Sequence, residues 1–127
     1  MNHDQGVMRI LCLEDNPLLA FHVEQMIEDA GHTSAGSLAS FSELQDTYSA
    51  LQFDAALVDI DLADGPTGPD AAAWLHRRGI PTLFVTGQSQ VAARHADVSL
   101  GCIEKPIATA DFARKIETLC ARVSAGR

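Results

Sequence analysis

Five short apolar runs recur along the chain, and each is followed by a longer segment with helical periodicity. This alternation constrains the fold most, because neighbouring parallel strands need a crossover long enough to hold a helix. The runs cover residues 7–13, 33–36, 54–60, 80–85 and 98–103, the last with Gly101 inside it. Asn16 and Pro17 open the first helix as N-cap and first helical residue. Leu18, Phe21, Met26, Ile27 and Ala30 keep its spacing as far as Gly31. Ser40-Phe41-Ser42-Glu43 is a capping box that opens a second helix ending near Leu51. A third helix is expected over 70–78, with Gly79 as its stop, and a fourth, weakly amphipathic, over 88–96. Thr109 is expected to cap the last helix, whose Phe112, Ala113, Ile116, Leu119, Cys120 and Val123 form one apolar stripe. The expected class is α/β, a doubly wound five-stranded parallel sheet with helices on both faces.

A chain of 127 residues accommodates one such domain, expected over 8–124 with short tails at 1–7 and 125–127. At this size roughly two-thirds of the unfolded surface is buried, so no disulfide or metal staple is required. Cys12, Cys102 and Cys120 lack metal-ligand or CxxC spacing and read as small apolar residues in a reducing compartment. A net charge of −8 argues against nucleic acid as a direct partner. Residues 1–6 are polar and the apolar run after them is too short to span a bilayer, so a cytoplasmic location without membrane contact is expected.

In open parallel sheets the functional crevice lies beyond the carboxyl ends of the strands. Four of the five expected ends carry reactive groups: Glu14-Asp15, Asp59, Thr86-Gly87 and Glu104-Lys105-Pro106. Three carboxylates there would repel one another without a cation between them. Mg2+ takes oxygen ligands and keeps waters, so two carboxylates and a main-chain carbonyl suffice for it. An ionised Asp beside it can attack phosphorus. Lys105 and Thr86 are placed to share the charge that develops on the phosphoryl oxygens.

Taken in order, Glu14-Asp15, Asp59, Thr86 and Lys105-Pro106 resemble the response-regulator receiver domain (CheY-like) of bacterial two-component signalling, here of a stand-alone type. The resemblance runs from about Arg9 to Val123. It implies a flavodoxin-like (βα)5 fold with strand order 2-1-3-4-5. It implies phosphorylation of Asp59 by a histidine kinase or histidine phosphotransfer protein, and signalling through a separate, unidentified protein. It further implies Mg2+ held by Asp15, Asp59 and the backbone carbonyl of Asp61, with Glu14 acting through water. Thr86 would follow the phosphoryl group, Lys105 would contact it, and the Lys105-Pro106 bond would be cis. The module is then a signalling receiver, its chemistry limited to its own phosphorylation and dephosphorylation.

Several positions depart from the family pattern. Cys102 stands where an aromatic switch residue is usual, so a turning ring cannot report phosphorylation. The interval from Thr86 to Lys105 is a few residues short, which predicts a short fourth helix. Phe84-Val85-Thr86-Gly87 suggests a divergent subgroup with an F-A-T-G-type motif. After Asp59 the usual Pro is Ala63, and the usual Gly is shifted by one. Asp61 and Gln88 hold the positions that tune phosphoryl lifetime in the family.

Two other functions compete. Asp59-Ile60-Asp61 matches the D-x-D nucleophile motif of haloacid-dehalogenase phosphatases, but that family places it on an early strand of a longer chain. A pseudo-receiver that binds a partner without being phosphorylated is the other alternative. His22, His32, His76 and His95 share no metal-ligand spacing and read as surface residues, and His3 as part of a disordered tail. Trp74 reads as a packing residue. Asp59, Asp61 and Asp64 lack the terminal Glu of a calcium loop.

Overall fold

The computed structural model describes residues 6–126; Met1–Gln5, with His3, and Arg127 lie outside the described residues. The elements are β1 Arg9–Leu13, α1 Pro17–Asp29, β2 Thr33–Leu38, α2 Phe41–Thr47, a 3-10 turn Tyr48–Ala50, β3 Ala55–Val58, α3 Gly68–His76, β4 Thr82–Thr86, α4 Ser89–Ala93, β5 Cys102–Glu104 and α5 Thr109–Ala125. All strand pairs are parallel and the sheet order is β2-β1-β3-β4-β5. This is the flavodoxin-like architecture implied by the strand-end residues.

Strand periodicity divides the interior in two. Ile10, Cys12, Leu57, Leu83, Val85 and Ile103 point to one face, where Val23 and Ile27 of α1 and Phe112, Ile116 and Leu119 of α5 cover them. Leu11, Leu13, Ala56, Val58 and Phe84 point to the other, beneath Leu44 of α2, Ala71 and Leu75 of α3 and Ala92 of α4. Burying one such Leu or Ile fully is worth about 1.5–3 kcal/mol. Phe41, Tyr48, Phe53 and Trp74 make a half-buried aromatic group beside the second face, with Arg78 stacked on the Trp74 ring at 3.4 Å. Trp74 is thus a packing residue, as expected.

Helix starts follow the sequence cues unevenly. Asn16 Oδ1 accepts from the Leu18 and Leu19 amides, and Ser40 Oγ accepts from the Glu43 amide. Glu43 Oε1 reaches back to the Ala39 amide at 2.7 Å, one residue before the position of an ideal capping box. Thr109 does not cap α5: it is the first helical residue, after Ala108, and no side chain caps that end.

The largest departure is β5. The apolar run 98–103 forms the strand only at its end; residues 94–100 are turns and bends, and strand pairing begins at Cys102. Gly101 has φ +132°, a backbone state that breaks extension just before the strand. Val98 and Leu100 instead pack as half-buried side chains. The fourth helix is only five residues, shorter than the expected 88–96. α2 ends at Thr47 and the 3-10 turn completes the stretch to Ala50. β1 begins at Arg9 rather than residue 7, since Val7 is exposed. β2 instead runs on to Leu38, past the expected end at Gly36, through the ladder it shares with β1. α3 begins two residues early, at Gly68.

Candidate functional site

Side chains from the carboxyl ends of β1, β3 and β5 meet in one cluster. Lys105, two residues past Ile103, sends its Nζ to Asp59 Oδ2 at 2.7 Å and to Glu14 Oε1 at 3.1 Å. Glu14 and Asp59 are both buried, although each is a carboxylate at a strand end. Burying two such groups side by side is costly unless a cation compensates them. Lys105 is that cation in this structure. Burial would lower its pKa, but the hydrogen bonds that it donates to Asp59 and Glu14 outweigh burial and raise it. Burial raises the Glu14 carboxyl, and the charge of Asp59 adds to the effect against the hydrogen bonds from Asn16 and Lys105.

Main-chain groups complete the positioning. Asp59 Oδ1 accepts from the Ile60 amide at 2.7 Å, and the Asp59 amide donates to the Leu13 carbonyl. Glu14 Oε2 accepts from the Asn16 amide. The Lys105-Pro106 bond is cis. The Lys105 amide donates to the Thr86 carbonyl, which ties the ends of β4 and β5 together.

Not every expected residue joins the cluster. Asp15 is exposed, because consecutive residues at the end of an extended strand point to opposite sides and Glu14 takes the inward one. Thr86 is buried; its Oγ1 accepts from the Gln88 amide at 3.0 Å, and this hydroxyl makes no bond to the Lys105 or Asp59 side chain. Asp61 is exposed and its Oδ2 accepts from Gln88 Nε2 at 2.6 Å. That bond joins the β3–α3 and β4–α4 loops.

Two contributors were not read from the sequence. Gly68 packs α3 directly on the end of β3: a Cβ there would lie 1.9 Å from the Asp59 carbonyl oxygen. Its signal was the glycine displaced by one in the loop. Asp64 accepts from the Phe41 and Ser42 amides and from the Thr67 hydroxyl, bracing the same loop against the start of α2. The Thr67 bond, followed by those amides, holds the Asp64 carboxyl below its usual range. His32 also departs from expectation: half-buried, its Nδ1 accepts from the Met8 amide, and burial lowers its pKa.

Two carboxylates, Glu14 and Asp59, converge here beside the Lys105 ammonium, and carboxylate oxygens are the ligands that Mg2+ takes. No group of three or more His, Cys, Asp or Glu side chains able to hold an ion is gathered among the described residues. A Mg2+ ion held by these oxygens would retain several waters. No helix among the described residues is long and apolar enough to cross a membrane.

Comparison with known proteins agrees with this geometry. The chain is 35% identical over 79 residues to the phyllosphere-induced regulator PhyR of Methylorubrum extorquens, a match covering 61% of this chain and 30% of that protein. The chain thus spans less than a third of that regulator's length. The receiver domain of Erythrobacter litoralis PhyR superposes with a TM-score of 0.81 at 25% identity, covering 92% of each chain. The anti-anti-sigma factor PhyR of Bartonella quintana superposes with a TM-score of 0.81 at 26% identity, covering 93% of this chain and 50% of that one. The sequence profile of the response regulator receiver domain matches residues 10–117. The chain belongs to the response regulator receiver domain family.

Proposed function

We propose that this receiver accepts a phosphoryl group on Asp59. The observation that carries the reading is the Lys105 ammonium bridging Asp59 and Glu14 at the carboxyl ends of the strands. The donor is a phosphohistidine of a histidine kinase or phosphotransfer protein. A carboxylate oxygen of Asp59 attacks phosphorus, the P–N bond breaks, and the imidazole leaves with the electron pair. An acyl phosphate results. Lys105, already on Asp59 Oδ2, follows the new negative charge and stabilises the equatorial oxygens. The Thr86 hydroxyl gives up its bond from the Gln88 amide to donate to the phosphoryl group.

Asp15, Asp59 and the Asp61 carbonyl would hold Mg2+, with Glu14 acting through water. The ion, when bound, supplies positive charge that neutralises the phosphoryl oxygens. Asp61 and Gln88, bonded across the two loops, hold the positions that tune phosphoryl lifetime in the family. The output is a protein contact, which the description of the Bartonella relative as an anti-anti-sigma factor supports. A soluble cytoplasmic site of action, without nucleic acid or membrane contact, fits this reading.

Incubation with acetyl phosphate and Mg2+, followed by intact mass, tests it. One phosphoryl increment is expected on the wild type and none on Asp59→Asn. An increment retained by Asp59→Asn moves the acceptor elsewhere. No increment on the wild type leaves a module that binds its partner without phosphorylation.

A further inference from the structure

We propose that Asp64, given the reading that the Asp61 carbonyl helps to hold Mg2+, is a positioning residue that aims this carbonyl through the β3–α3 loop. Asp64 is exposed and bonds to none of Glu14, Asp59 and Lys105. Its influence runs through the main chain.

The planarity of one peptide group makes the link. The Asp61 carbonyl and the Leu62 amide belong to the same trans peptide, so fixing the N–H fixes the direction of the C=O opposite it. The Leu62 amide donates to the Gly65 carbonyl at 2.9 Å, and the Gly65 amide returns a bond to the Leu62 carbonyl at 3.1 Å. Gly65 thereby sets the direction of the Asp61 carbonyl. The Gly65 carbonyl also accepts from the Thr67 amide at 2.7 Å. Asp64 holds this turn from outside. Its Oδ1 accepts from the Thr67 hydroxyl at 2.7 Å and from the Phe41 amide at 3.2 Å, and its Oδ2 from the Ser42 amide at 3.0 Å. The two amides lie in the first turn of α2, where a helix offers them no acceptor of its own. One carboxylate thus pins the turn both to α2 and to the start of α3. Bonds to an ionised acceptor are roughly twice as strong as neutral ones.

The turn needs such a brace. Gly65 has φ +111°, a state that glycine enters and leaves without steric penalty. Position 63 is alanine, whose amide donates to the Ala39 carbonyl at 2.8 Å. A proline there would stiffen the chain but could not donate that bond. Hydrogen bonds to the segment before α2 therefore take the place of a rigid ring. On the other side, Gln88 Nε2 meets the Asp61 carboxylate and leaves its carbonyl to the turn.

The test is a Mg2+ titration of the unphosphorylated protein, read by amide-resolved NMR on the wild type, Asp64→Ala, Asp64→Asn, Thr67→Val and Leu119→Ala. Before Mg2+ is added, Asp64→Ala should shift the Leu62 and Gly65 amides and speed hydrogen exchange at Leu62. It should then weaken Mg2+ binding roughly three- to tenfold, at the low end of what losing a residue that orients a metal ligand does. Asp64→Asn, which keeps an acceptor oxygen, should fall between. Thr67→Val removes no charge and should also weaken binding; combined with Asp64→Ala it should add little, because both cut the same bond. Leu119→Ala, destabilising but remote from the loop, should bind as the wild type does. Unchanged Leu62 exchange or unchanged affinity in Asp64→Ala would overturn the positioning role and leave the Mg2+ reading standing. Equal losses in Asp64→Ala and Asp64→Asn with none in Thr67→Val would reduce the effect to charge and overturn it too. So would an equal loss in Leu119→Ala. A wild type without saturable shifts near Asp59 and Asp61 would overturn the Mg2+ reading and this role together.

Discussion

The two helical layers are built on different principles. On one face, α1 and α5, of 13 and 17 residues, lay continuous apolar stripes on the sheet. On the other, α2, α3 and α4 have 7, 9 and 5 residues, and individual contacts hold them in place. Asp64 braces α2, Gly68 seats α3, and Gln88 ties the start of α4 to Asp61. The first layer is a framework whose stability is distributed. The second is a set of short parts joined at points around Asp59, and such parts open locally more readily than a continuous framework.

Four substitutions would break or sharpen that contrast. Leu119→Ala, in the middle of the α5 stripe and fully buried, should cost about 3 kcal/mol in urea unfolding. A cost under 1 kcal/mol would mean the α5 layer is not the framework. Gly68→Ala follows, at roughly 2–3 kcal/mol, because its Cβ would meet the main chain of Asp59 and Ile60. Unlike Leu119→Ala, it should also shift the Asp59 and Ile60 amides in NMR spectra, and unmoved amides would show the two layers failing alike.

Lys105→Met belongs to the seam between the layers. It leaves Glu14 and Asp59 without a cation and, with Lys105 partly exposed, should cost about 1–2 kcal/mol. Adding Glu14→Gln should recover much of that loss in thermal melts; no recovery would deny the charge argument. The pH dependence carries a sign. Because the folded-state pKa of Lys105 is raised, its contribution is complete below the ordinary lysine value of 10.5 and disappears as pH rises through the folded value. The gap between wild type and Lys105→Met should therefore close in strong alkali.

The smallest effect is expected from Asp64→Ala, at roughly 0.5–1 kcal/mol, since the side chain is exposed and acts as a remote cap for α2. Its folded pKa is depressed, so its stabilisation holds above the ordinary carboxyl value of 3.8 and is lost as pH falls through the folded one. A wild-type advantage that persists at pH 2 would contradict this assignment.

Local cues account for what was legible. The strand ends announced Glu14, Asp59 and Lys105, and the structure brings all three together. Asn16-Pro17 and Ser40 marked their helix starts for reasons contained within a few residues. What escaped is non-local. Asp64 caps a helix more than twenty residues upstream. The different fates of Glu14 and Asp15 depend on which side of β1 each faces, which a pair of adjacent acids does not display. The run 98–103 has the composition of a strand, but Gly101 and the length left by a short α4 decided against it.

The loop between Asp59 and α3 closes on itself. The Gly68 amide donates to the Ile60 carbonyl at 2.9 Å, and within the loop the Leu62 amide donates to the Gly65 carbonyl at 2.9 Å. Its two ends are thus fastened side by side, like the neck of a purse, whatever the length of chain between them. A residue gained or lost in the bag of such a loop changes its outline and leaves the neck untouched, and lengthening it costs little entropy. The glycine displaced by one, which in the sequence looks like damage to the motif, is absorbed in that slack. Asp59 and the start of α3 stay in register whatever outline the loop between them takes.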